Sequence, residues 1–337
     1  MRHPHGLRAA AAVASGSDIA VAHSSSPFIS VYPWSSGFGT KYANPATLPA
    51  GSANGVAFSL DGANIAVAHD TSPFISVYPW SSGFGTRYAN PATLPTGNGE
   101  GVAFSPDGAD IAVAHATSPF ISVYPWSSGF GTKRANPATL PTGTGNEVAF
   151  SPDGANIAVA QPTSPYISVY PWSSGFGTKY ADPATLPTGA GFGVVFSPDG
   201  ADIAVAHDTS PFISVYPWSS GFGTKRANPA TLPTGTGRGV AFNPDGADIA
   251  VAQTTSPYIS VYPWSSGFGT KYANPATLPT SGVFGVAFSP DGADIAVAQI
   301  SSPFISVYPW SSGFGTRYAD PATLPVSTGR GVAFNPP

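Results

Sequence analysis

Tryptophan falls at Trp34, Trp80, Trp126, Trp172, Trp218, Trp264 and Trp310, and every interval is 46 residues. Self-similarity at a fixed period of this size restricts a chain to an array or ring of like units, each burying its apolar faces against its neighbours. One unit, 101–146, reads GVAFSPDGADIAVAHATSPFISVYPWSSGFGTKRANPATLPTGTGN, and its neighbours differ from it at few positions, with no insertion to disturb the register.

Within the unit, GVAF alternates small and large apolar residues, and Asp107-Gly108 supplies the tight turn expected between two hairpin strands, a and b. DIAVAH reads as strand b. A Thr-Ser-Pro break precedes the β-branched and aromatic run FISVYPW, strand c, and an SSGFGT turn then leads into KRANPATLP as a fourth strand, d. Pro137 and Pro141 cannot donate ladder hydrogen bonds, which confines strand d to the outer edge. Strand c carries apolar or aromatic residues on both parities, as a sheet buried on both faces requires.

Four short antiparallel strands at this period predict an all-β, seven-bladed β-propeller, occupying residues 17–337 as a single domain after a degenerate leader over 1–16. A solenoid needs polar caps on its terminal units. Here the ends are complementary fragments of one repeat: residues 9–16 read AAAAVASG where strand a belongs, and the chain finishes with an unaccompanied Gly331, Val332, Ala333 and Phe334. The expectation is that this C-terminal strand completes the first blade and closes the ring.

Composition narrows the function classes. Charged residues are only 9% and the formal net charge is −4, with no basic run, which argues against nucleic acid and anionic membrane as partners. No apolar stretch is long enough for a membrane-spanning helix, so membrane insertion is not expected. The chain has no cysteine, which excludes disulfides, thiolate catalysis and zinc-thiolate sites.

The stretch VAFSPDG followed by strands b and c resembles the WD-repeat family from Ser17 to Phe334. The Trp-Asp pair that would close strand c is replaced by Tyr-Pro, as at Tyr124-Pro125, and no Gly-His precedes strand a, so the family's side-chain network is not carried over. Units ending NPATLPTGxG before GVAFSPDG also resemble blade repeats of bacteriophage and bacterial surface proteins. That resemblance implies a virion, appendage or extracellular setting.

Four of the six histidines occupy one repeat column at the end of strand b, His23, His69, His115 and His207, and the other copies carry Gln161, Gln253 and Gln299. Gln imitates the hydrogen bonding of one imidazole nitrogen but neither shuttles protons near neutrality nor ligates transition metals well. The column is therefore read as a structural or ligand-facing hydrogen bond, with no metal and no cofactor. Asp61, Asp107, Asp153, Asp199, Asp245 and Asp291 recur beside the turn glycine, as ordinary turn chemistry. Asp18, Asp110, Asp202, Asp248 and Asp294 alternate with Asn64 and Asn156, an interchange that removes the protonation acid or base catalysis needs. Calcium held by the Asp-Gly-Ala-Asp segment is the competing reading, but its ligand count is small. The Trp column reads as packing between sheets, with sugar stacking as its alternative.

Seven copied units offer no unique nucleophile, base and orienting group, so no catalytic residue and no enzyme is expected. The residue after the His/Gln column varies most: Ser24, Asp70, Ala116, Pro162, Asp208, Thr254 and Ile300. A second varied stretch precedes strand a, as in Asn98 to Glu100 and Gly235 to Arg238. In an up-and-down blade both emerge at one end, and ligand contact is placed on that varied face, at these residues and the His/Gln column. The function expected is a lectin- or adhesin-like multivalent binding module, its partner a carbohydrate or protein on a repetitive surface. The alternative is a structural virion or appendage protein.

Overall fold

A computed structural model describes residues 17–336; the leader at 1–16 and the strand-a remnant within it lie outside the described residues. The described chain forms seven antiparallel sheets of three strands each. The first holds β1 (Ser17–His23) and β2 (Ile29–Trp34). The second holds β3 (Ala53–Phe58), β4 (Asn64–His69) and β5 (Ile75–Pro79), and the third β6 (Gly99–Phe104), β7 (Asp110–His115) and β8 (Ile121–Pro125). The same order, strand a beside b beside c, continues through β20 (Ile305–Pro309). The last strand, β21 (Gly329–Phe334), pairs with β1, Ala20 facing Ala333 and Val21 facing Val332. The architecture is all-β and consistent with a seven-bladed propeller.

The repeat sequence explains how the sheets stack. Strand b presents alanines on one face and Ile and Val on the other, and strand c presents Ile and Val on one face and Tyr and Trp on the other. Each interface sets the small face of one sheet against the large face of the next: Ala20, Ala22, Ile29 and Val31 pack on Ile65, Val67, Tyr78 and Trp80. The seventh and first sheets meet in the same way, Ala296, Ile305 and Val307 against Ile19, Val21, Tyr32 and Trp34. Each such buried side chain contributes roughly 1.5–3 kcal/mol.

The Trp rings are almost wholly buried, 3–7% exposed. Trp34 meets Phe38, Tyr318 and Phe334 edge to face at 5.0–6.0 Å. These rings are packing elements, and no face is offered to a sugar.

The fourth strand is a correction. After Trp34 the chain makes one bridge, Trp34 to Phe38, and two further backbone bonds to strand c, from Gly39 N to Pro33 O and from Tyr42 N to Val31 O. It then leaves the ladder, because Pro45 and Pro49 have no N–H to continue it. The segment instead serves the neighbouring sheet, whose buried strand-c tyrosine donates to it: Tyr78 OH to Thr47 O at 2.9 Å, and Tyr32 OH to Thr323 O at 2.8 Å between first and last repeats.

The first Asp column builds the a-to-b turn. Asp107 Oδ1 accepts from Ser105 Oγ at 2.6 Å and from Ala109 N at 3.0 Å, while Gly108 takes φ +69°. These donors hold the Asp107 carboxyl below the usual carboxylate range. The second Asp column is buried and joins sheets: Asp18 Oδ2 accepts from Trp80 Nε1 at 2.8 Å and Oδ1 from Tyr42 OH at 2.9 Å. In two repeats an arginine replaces that tyrosine, Arg134 on Asp110 and Arg226 on Asp202, both at 2.8 Å. Where Asn156 stands instead, its Oδ1 accepts from Tyr180, and Trp218 Nε1 is left buried without a partner. Asp18→Asn should therefore orphan Trp80 Nε1 and cost about 1–3 kcal/mol, read as a lower thermal midpoint. An unchanged midpoint would show that this bond contributes nothing.

Candidate site at the mouth of the central channel

The inner strands of all seven sheets line one central cavity of about 190 Å³. Its walls begin with a column of glycines, Gly55, Gly101, Gly193, Gly239, Gly285 and Gly331, because here neighbouring backbones come very close: a Cβ on Gly55 would lie 3.0 Å from Glu100 O. In the one remaining repeat the same position is Glu147, the first residue of the shortened inner strand β9 (Glu147–Phe150). Its carboxyl reaches into space that the adjacent glycine leaves free, since a Cβ on Gly101 would meet Glu147 Oε1 at 2.5 Å. Oε1 accepts from Val148 N at 3.0 Å. Although the residue as a whole is part-exposed, the loss of water around its carboxyl pushes the pKa up to about 7.

One step toward the mouth, the preceding repeat column diverges at nearly every copy: Asn54, Glu100, Asn146, Phe192, Arg238, Phe284 and Arg330. Apart from Asn54, each is the last residue of a varied stretch. Together they enclose an opening of about 220 Å³. Arg330 Nη1 donates to Asn54 Oδ1 at 2.8 Å, Asn54 Nδ2 to Gly99 O, and Asn146 Nδ2 to Gly191 O. The Arg238 guanidinium lies 4.0 Å from the Phe192 ring centre and 5.5 Å from that of Phe284. Burial pushes the Glu100 carboxyl up, with Arg330 acting against the shift and Asp70 adding to it.

The strand-b residues singled out from sequence lie elsewhere at the same end, while the varied stretches ending in Glu100 and Arg238 reach the opening itself. Asp70 N donates to Ser52 O, Asp208 N to Ala190 O, Thr254 N to Thr236 O and Ile300 N to Gly282 O, so the two varied connections do meet. Ser24 N reaches Thr328 O, and Ala116 N reaches Asn98 O. Pro162 is exposed beside Thr163. The His/Gln side chains point into the blades instead. His69 is fully buried, with Nδ1 2.7 Å from Thr71 O and Nε2 3.0 Å from Ser76 Oγ. Gln161 makes the equivalent bonds, Nε2 donating to Thr163 O and Oε1 accepting from Ser168 Oγ.

Burial lowers His23, His69, His115 and His207 to about 4. Because the folded-state value lies below the unfolded one, their contribution to stability is complete above pH 6.5 and is lost as pH falls toward 4. Replacing all four by Gln, as three repeats already do, should flatten the loss of stability over that interval. A variant as acid-sensitive as the parent in equilibrium unfolding would show that these residues are not its source.

The comparisons with known proteins can now be set beside this geometry. No model of a protein family matches the chain, and no curated protein does. Solved structures do match it. The periplasmic gluconolactonase of Pseudomonas aeruginosa aligns over 95% of this chain and 99% of its own at 16% identity, TM-score 0.71. A candidate 6-phosphogluconolactonase of Bacteroides uniformis aligns over 95% and 99% at 17% identity, TM-score 0.69. A Lactobacillus plantarum protein gives 95%, 99%, 16% and 0.72.

These likenesses establish the fold. Two of these neighbours are named as lactonases, and the WD-repeat and phage resemblances gain no support from the comparison. They also correct the functional expectation. A non-enzymatic lectin- or adhesin-like module, a virion or appendage protein, and a partner on a repetitive surface are all set aside, because two of these neighbours bear the names gluconolactonase and 6-phosphogluconolactonase. The physical reason lies in the channel. Seven near-identical units bring unlike residues together there, since the copies differ where they meet at the axis. Glu147 was not singled out from sequence, although a signal was present: the chain has only two glutamates, Glu100 and Glu147, and both line this opening.

Proposed function

We propose that the chain is a hydrolase of small lactones working at the mouth of the channel, in a ring closed by β21 completing the first blade and with substrate entering from the varied face. The observation that carries this reading is the Glu147 carboxyl, standing at the axis in place of a glycine and held near neutrality by burial. A carboxyl so poised is matched to general-base work at physiological pH.

Ionised Glu147 takes a proton from water as the water oxygen bonds to the lactone carbonyl carbon. The charge that develops on the carbonyl oxygen is opposed by Arg330. The ring C–O bond then breaks, and the proton held by Glu147 passes to the departing ring oxygen, which leaves a hydroxy acid. Apart from the attacking water and the lactone, every group in the scheme belongs to the chain. Acid release from δ-lactones, followed by titration at constant pH, tests the reading. Turnover above the spontaneous rate supports it, and no acceleration with any lactone overturns it.

A further inference from the structure

The seven residues at the mouth are not spread evenly by chemistry. Going round the ring, Asn54, Glu100 and Asn146 are consecutive, and Phe192, Arg238, Phe284 and Arg330 make up the other arc. One side is polar and acidic; the other is cationic and aromatic.

The polar arc has few open groups for a polyhydroxylated ligand. Asn54 is engaged at both ends of its amide, by Gly99 O and Arg330, and the Asn146 amide nitrogen by Gly191 O, which leaves Asn146 Oδ1 and the Glu100 carboxyl as acceptors. The aromatic arc is the reverse. Among the described residues no carboxylate forms an ion pair with Arg238, and Asp208 acts on it only at longer range: its guanidinium rests on the Phe192 ring, and its Nε is buried with no acceptor among those residues. Stacking on an aromatic face keeps the guanidinium fork in one orientation while leaving its N–H edges free, a task lysine cannot perform. Phe284, 5.5 Å away on the other flank, adds an apolar surface beside the cation.

From this arrangement we infer that the mouth takes a ligand bearing an anionic group on a flat apolar body, and that Phe192, Arg238 and Phe284 are the residues that read it. The inference rests on the mouth being the working site, and it narrows the substrate of the proposed hydrolase to anionic lactones with an apolar or aromatic frame in preference to polyhydroxylated ones. Arg238 receives the anion, and the two rings receive the body.

Equilibrium binding separates this inference from the catalytic one, because it needs no turnover. Calorimetric titration of the full chain with phenylacetate, gluconate and acetate at low ionic strength is expected to give phenylacetate binding at least tenfold tighter than either of the others. Arg238→Lys, which keeps the charge but loses the fork, should weaken phenylacetate about tenfold, and Phe284→Leu about threefold, with thermal midpoints near the parent's. Gluconate binding as tightly as phenylacetate, or phenylacetate binding untouched by Arg238→Lys, would overturn it. Phenylacetate bound as expected by a protein that opens no lactone would sink the hydrolase reading and leave this one standing.

Discussion

Truncation after Arg330 is expected to remove most of the stability of the fold. Residues 331–334 supply the ladder of Gly331, Val332, Ala333 and Phe334 to β1, and Phe334 is buried against Trp34 in the interface between the last and first sheets. Losing one aromatic and one aliphatic side chain from that interface costs about 3–6 kcal/mol. The unmade backbone bonds add roughly 1 kcal/mol each. The sum is comparable to the whole stability of an ordinary domain, and the bared edge of β1 would invite association with another chain. Denaturant unfolding should show a collapse of the midpoint, together with aggregation. A truncated protein melting within a couple of degrees of the parent would show that the ring does not depend on this strand.

Glu147→Gln is expected to lower lactone turnover by about 10²–10⁴-fold, the usual contribution of a positioned general base. The parent's rate should rise with pH through about 7, since the base works only after losing its proton, and the variant should lack that rise. Glu147→Gly is the sharper control, because it restores the residue that six other repeats carry at this position. It should fold at least as well as the parent, since a buried ionisable group is removed, and be inactive. Full activity in the glycine variant would place the chemistry elsewhere.

The sheets were legible because their determinants repeat. Asp107-Gly108 marks a turn whose φ only glycine adopts cheaply, DIAVAH and ISVYP carry side chains suited to burial on both faces, and Gly331 to Phe334 stood without partners of their own. The outer segment was misjudged for a physical reason: KRANPATLP has the length of a strand, but its prolines divert its carbonyls to the tyrosine of the next sheet, a contact between repeats that no pattern within one repeat displays. The channel site was obscured in the same way. Glu147 and Arg238 are 91 positions apart in sequence, and only the coincidence of repeat phase brings them to one opening. Reading the columns for difference pointed to this end of the repeat, but the His69 column singled out there is frame, and Glu147, the single departure from glycine in its own column, stands one position beyond a varied stretch.

The junctions between sheets all use much the same contacts: alanine face on tryptophan face, with tyrosine hydroxyl to threonine carbonyl. None of these contacts involves positions 54, 100, 146, 192, 238, 284 or 330. The frame and the proposed site thereby occupy mostly separate positions of one repeat, with Asn54, Asn146 and Arg330 as exceptions because their side chains bond neighbouring sheets. Libraries randomised at Glu100, Phe192, Arg238 and Phe284 alone should therefore yield folded proteins of altered selectivity at high frequency.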